Sequence, residues 1–145
     1  MHAIRILRKL HWCTDQNMSA ALARLDLTAS QGCVMGFLAH RQTPPCARDV
    51  EDFLELSHPS VAGILSRLEK KNFIEFRADP QDGRCKRIFL LPKGRECIDA
   101  MEHEIRDIEN RMVDGFTDAE VQQFHAFLDR AINNMGGTPC KRKEE

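Results

Sequence analysis

The sequence contains no tyrosine, and no apolar run approaches the roughly 18 residues that a membrane-spanning helix needs. It also lacks a glycine-rich phosphate loop, metal-ligand spacing, and any Ser/His/Asp or Cys/His arrangement that stands out from scatter. The chain therefore reads as no enzyme, with no metal and no cofactor. Its six cysteines, Cys13, Cys33, Cys46, Cys85, Cys97 and Cys140, form no Cys-x-x-Cys and no Cys/His cluster at zinc spacing. The N-terminal MHAIRILRKLHWC is basic but has no apolar centre of the kind a secretory signal carries. A cytoplasmic protein without membrane contact is expected, with reduced and mostly packed thiols. Charge of one sign is missing as well: 21 Lys and Arg stand against 22 Asp and Glu, for a formal net charge of −1. That balance weighs against a nucleic-acid binder unless the positive charge is clustered locally.

The chain is 42% hydrophobic and 30% charged, ordinary for a globular protein, and its 145 residues suffice for one domain with a real core. Apolar residues recur at helical spacing over about Ala3 to Leu25, through Ile4, Leu7, His11, Met18, Leu22 and Leu25. Thr28 to Gln31 has the form of a capping box and opens a second helix carrying Val34, Phe37 and Leu38. That helix should stop before Pro44-Pro45. A short helix, about Cys46 to Leu54, should turn Val50, Phe53 and Leu54 inward. Ser57 then reads as an N-cap, with Pro59 tolerated in the first turn. The helix it starts runs to about Lys71 and should bury Val61, Ile64, Leu65 and Leu68.

The stretch from Arg48 to Gly94 carries the functional signal. The outer face of the helix from Ser57 bears Pro59, Gly63, Ser66, Arg67 and Lys70, which are small or basic. A helix that approaches DNA closely needs small groups near its N-terminus and donors further along. Two alternating runs follow, around Ile74-Phe76 and Ile88-Leu90, joined by the turn Asp79-Pro-Gln-Asp-Gly83. The hairpin so formed should expose Arg84 and Lys86 at its tip. Arg67, Lys70, Lys71, Arg77, Arg84, Lys86 and Arg87 outnumber the acids in this window, so the positive charge is clustered here. A polar-faced helix and a basic hairpin suit the two grooves of a duplex.

From Pro92 onward, Ile98, Met101, Ile105, Ile108 and Met112 make an a/d-type seam that should await a partner. Gly115 ends it. Thr117 to Glu120 is a second capping box, followed by the stripe Val121, Phe124, Leu128, Ala131 and Met135, with Gly136-Gly137 as its stop.

This order of elements resembles the MarR family of winged helix-turn-helix regulators over nearly the whole chain. Asp49-Val-Glu51 is similar to the start of the family's first helix-turn-helix helix. Ser57 to Lys71, ending Leu68-Glu69-Lys70-Lys71, is similar to its recognition helix, Asp82-Gly-Arg84 to its wing motif, and Leu90 to Gly94 to the segment after the wing. Three positions depart from the pattern. Leu91 replaces a capping Thr, Asn72 replaces a frequent Gly, and Gly63 stands where a longer base-reading side chain occurs.

The resemblance implies a mainly α fold with a small β-hairpin wing. It implies a single domain over 1–145, with a winged helix core at 28–91, dimerisation helices at 1–25 and 92–136, and a disordered tail at 137–145. It further implies a homodimeric regulator on double-stranded DNA, by the family's common mode a repressor. Twofold symmetry predicts a pseudo-palindromic operator with half-sites about one helical turn apart. His58, Pro59, Ser60 and Gly63 would lie nearest the DNA. His58 either donates to a phosphate or is a solvated cap residue. Arg67, Lys70, Lys86 and Arg87 would meet the backbone. Arg84 would enter a narrow minor groove, braced by Asp82, against the alternative of an ordinary turn arginine.

The family commonly responds to small aromatic molecules. His11, Trp12, Phe37 and His40 either border a cleft for one, or divide into core (Phe37) and surface or interface. Some relatives sense oxidants. Here Cys13 lies too far inside its helix and tyrosine hydroxyls are missing, while Cys85, between Arg84 and Lys86, has the positive charge a reactive thiol needs. The remaining alternatives are a redox-sensing regulator of the same fold and a winged-helix module for protein contact.

Overall fold

The computed structural model describes residues 2–138; the expected tail lies outside them from residue 139 on. Eight elements follow one another: α1 (Ala3–Arg24), α2 (Ala29–Ala39), α3 (Ala47–Leu54), α4 (His58–Lys70), β1 (Ile74–Ala78), β2 (Lys86–Leu90), α5 (Pro92–Met112) and α6 (Asp118–Asn134). The fold is mainly helical with one antiparallel hairpin, in which Ile74 pairs with Leu90 and Ala78 with Lys86. The chain divides into two compact units, one ending at Ile108 and the other beginning at Glu109.

In the first unit the helical stripes converge on one core. Val34, Met35 and Leu38 of α2, Val50 of α3, and Val61, Ile64, Leu65 and Leu68 of α4 meet Ile74 and Ile88 of the hairpin. The hydroxyl of Thr28 accepts the Gln31 N–H while the Gln31 side chain accepts the Thr28 N–H, so both ends of the expected capping box are made. Asn72 takes a left-handed φ of 59° after α4, where Asn is the residue next best to Gly.

Two polar links fix the C-terminal end of α4, at its C-cap Lys71. Lys71 Nζ donates to the carbonyl of Asp26, in the turn between α1 and α2, and at 3.0 Å to Oε1 of the buried Gln31. Lys93, in the first turn of α5, donates to the Lys71 carbonyl at 3.0 Å. Leu91 supplies no hydroxyl cap for α5. Instead its backbone N–H donates to Phe73 O at 3.0 Å, and Pro92 begins the helix. Gly94 packs so closely on that segment that a Cβ there would stand 2.1 Å from Phe73 O.

Three expectations change. Phe53 is 54% exposed, not inward; Val50 and Leu54 take the inward arc of this short helix, and Phe53 stacks flat on Phe37 with centroids 4.5 Å apart. The Ser57 hydroxyl caps no backbone N–H and is hydrogen-bonded to Ser60 Oγ at 2.9 Å. Ile98 and Met101, expected on an open seam, are buried in this unit's own core.

In the second unit, Gly115 takes a φ of 82° and the chain re-enters helix through the Thr117–Glu120 capping box. Phe116 meets Phe124 edge to face at 6.0 Å. No residue of α6 is fully buried, and Gly136, with a φ of 79°, follows its C-terminus.

Candidate nucleic-acid interface

An open groove of about 800 Å³ is lined by α3 and α4 on one side and by the hairpin on the other. Arg48, His58, Ala62, Ser66 and Glu69 line its helical side, and Asp82, Arg84, Cys85 and Lys86 line its hairpin side. The helical stripe explains this placement. With Val61, Ile64, Leu65 and Leu68 turned to the core, the opposite arc of α4 must face outward. Pro59, Ser60, Arg67 and Lys70 are exposed on that arc, and Gly63 is half-buried with nothing within 4 Å of a Cβ placed on it.

His58 Nδ1 lies 2.5 Å from Glu51 Oε1. It ties the start of α4 to α3. Sequence reasoning did not reveal Glu51, because an acid on a short helix reads as an ordinary solvated residue.

At the wing tip, Asp82 Oδ1 accepts the backbone N–H of Arg84 at 3.0 Å, and the Cys85 N–H donates to Asp82 O at 3.0 Å. Arg84 and Lys86 are exposed. Arg87 is placed differently: its Nε donates to Asp79 Oδ2 at 2.8 Å and its Nη1 to Pro44 O at 3.4 Å. Asp79, which in sequence was only a turn former, is thus the anchor of this guanidinium. Its pKa is lowered first by the Gln81 backbone N–H and then by Arg87. Behind the wing, Arg77 lies over the Phe89 ring at 4.4 Å and pairs with Glu75.

The four candidate ligand residues are dispersed among other partners. His11 pairs with Asp15 at 3.4 Å, and Trp12, 55% exposed, lies under Lys9. Phe37 is covered by Phe53 and Arg41, and His40 is the exposed C-cap of α2. Among the described residues no group of three or more His, Cys, Asp or Glu could hold a metal ion, and no helix is long and apolar enough to cross a membrane.

Comparison with known proteins fits this geometry. Residues 25–84 match the model of the MarR family. The chain is 22% identical over 129 residues to the HTH-type transcriptional repressor IacR of Pseudomonas putida, covering 89% of this chain and 77% of that protein. Among solved structures, MepR, a transcription regulator of the Staphylococcus aureus multidrug efflux pump MepA, aligns with a TM-score of 0.81 at 27% identity, over 90% of this chain and 96% of that one. The S. aureus MepR–DNA complex aligns with a TM-score of 0.75 at 27% identity, over 90% and 98% of the two chains. The matched segment runs from the end of α1 to the wing tip and holds α2, α3, α4 and β1, and over it, as in the relatives above, the chain is similar to the MarR family of winged helix transcriptional regulators.

Proposed function

We propose that the chain is a sequence-specific repressor that binds a pseudo-palindromic operator in double-stranded DNA as a homodimer and releases it on binding a small molecule. The outer face of α4 enters the major groove. Arg84 enters the adjacent minor groove, and Lys70, Arg67 and Lys86 meet phosphates. Arg87, held by Asp79 and Pro44, steadies the hairpin base.

The observation that carries this reading is Gly63. A glycine in the interior of α4 costs about 0.5–1 kcal/mol relative to alanine, and no neighbour within 4 Å demands it. Nothing in the packing accounts for that cost, whereas a duplex pressed against the helix does. The same face offers exposed Ser60, Arg67 and Lys70, while Arg84 and Lys86 line the groove with His58, Ala62, Ser66 and Glu69. The alignment with the MepR–DNA complex supports DNA as the partner.

Twofold pairing is supported by apolar surface that the chain itself leaves uncovered. Ile4, Ile6, Leu7 and Trp12 are exposed on α1, and Phe127 on α6. Patches of this kind mark protein contacts. Repression follows the role of the P. putida relative. Selection from a pool of random duplexes tests the reading. An inverted repeat with half-sites about one helical turn apart is expected, and a protein that enriches no duplex at low ionic strength contradicts it.

A further inference from the structure

We infer that Cys46 and Cys85 form a reversible disulfide that locks the wing against α3 and weakens DNA binding. The inference deepens the proposed function and rests on it for its DNA readout. Cys46 is the N-cap of α3 and Cys85 lies one residue before β2, so the two belong to elements on opposite sides of the groove, which both residues line. The backbone brings them together. Cys46 forms an antiparallel bridge with Arg87, and the Ile88 N–H donates to Pro45 O at 2.8 Å. Cys85, two residues before Arg87, therefore falls on the same face as Cys46, as its diagonal neighbour.

The remaining described cysteines lack this arrangement. Cys97 is buried in the core; Cys13 and Cys33 lie on α1 and α2. Burial, and then the charge and hydrogen bond of Cys46, push the Cys85 thiol up. A thiol pushed up is the poorer nucleophile, and the first attack is assigned to Cys46.

The oxidant is a hydroperoxide. The Cys46 thiolate attacks the terminal peroxide oxygen; an S–O bond forms, the O–O bond breaks, and the departing alkoxide takes up the proton that Cys46 released. The Cys85 sulfur then attacks the Cys46 sulfenic acid. The S–S bond forms, the S–O bond breaks, and water leaves with the Cys85 proton. Two thiols and one hydroperoxide thus become one disulfide, one alcohol and one water. Drawing Cys85 toward Cys46 pulls on its N–H bond to Asp82 O and so on the turn that sets Arg84. Arg84 and Lys86 flank Cys85 directly, so their aim across the groove changes with it.

The test treats the full chain with hydrogen peroxide and follows two readouts. Non-reducing peptide mapping should find the peptides of Cys46 and Cys85 joined, with the loss of two hydrogens. Affinity for the selected operator should fall about tenfold or more, recover with dithiothreitol, and stay constant in Cys85→Ser and Cys46→Ser. Oxidation confined to other thiols, or links only between chains, overturns the pairing. A Cys46–Cys85 link that leaves affinity unchanged overturns the switch. A reduced protein that binds no duplex sinks the DNA reading instead, and peptide mapping still decides the pair.

Discussion

The carboxylate of Asp82 holds the backbone of Arg84, not its guanidinium: Asp82 Oδ1 accepts the Arg84 N–H at 3.0 Å. The arginine is therefore aimed by the turn and keeps its charge for an outside partner. Asp82→Ala removes the acceptor and should weaken operator binding by about 1 kcal/mol, the worth of one such bond. Asp82→Asn retains an acceptor oxygen and loses a negative charge near the DNA, so it should bind as well as the parent or better. Titration of labelled operator with both variants checks this. Equal losses in the two would mean that the carboxylate acts by charge.

Gly63 and Gly94 should respond in opposite ways to the same substitution. Gly94→Ala places a Cβ 2.1 Å from Phe73 O. The backbone must move, and overpacking of this kind costs about 1–3 kcal/mol. Gly63→Ala meets nothing within 4 Å and should raise stability by about 0.5–1 kcal/mol through helix propensity, while lowering operator affinity. Urea midpoints and operator titrations on the same two samples separate these effects. A stabilised Gly63→Ala that binds DNA unchanged would remove the reason given for the glycine.

Acid should destabilise the fold in a definite window. Asp49, Asp79 and Glu120 all have lowered pKa values, chiefly because backbone N–H groups of Cys46, Gln81 and Thr117 donate to them. A depressed folded-state value means that the stabilisation is complete above the unfolded values, about pH 4 to 4.5, and is lost as pH falls through the folded values below that. Denaturant midpoints should be level from pH 7 to about 5 and drop toward pH 3. Asp49→Asn should flatten part of the drop. A midpoint that rises on acidification would reverse the sign of the account.

The legible parts of this molecule are those fixed by local rules. Thr28, Thr117 and Asn72 each announce a helix end through their own chemistry, and all three act there. The α4 stripe is buried as its spacing requires because four apolar residues on one arc leave the chain no other choice. What stayed hidden depends on partners distant in sequence. Ile98 and Met101 look like an open seam until Phe73 and Ile74 pack into the same core. Arg87 reads from sequence as a DNA contact, and only the fold shows its bond to Asp79, eight residues away on the other limb of the hairpin. Cys46 carries no signal of its own, since only the bridge to Arg87 sets it beside Cys85.

The most direct test of the central claim is the salt dependence of operator binding, measured side by side for the parent chain and Arg84→Ala. Each phosphate neutralised by the protein contributes a slope of about −0.9 to the plot of log K against log salt. The account predicts weaker binding by Arg84→Ala at every salt concentration, with a slope shallower by about one if the guanidinium also contacts a phosphate at the groove edge. Unchanged affinity together with an unchanged slope would contradict it, because the wing would then lie away from the duplex.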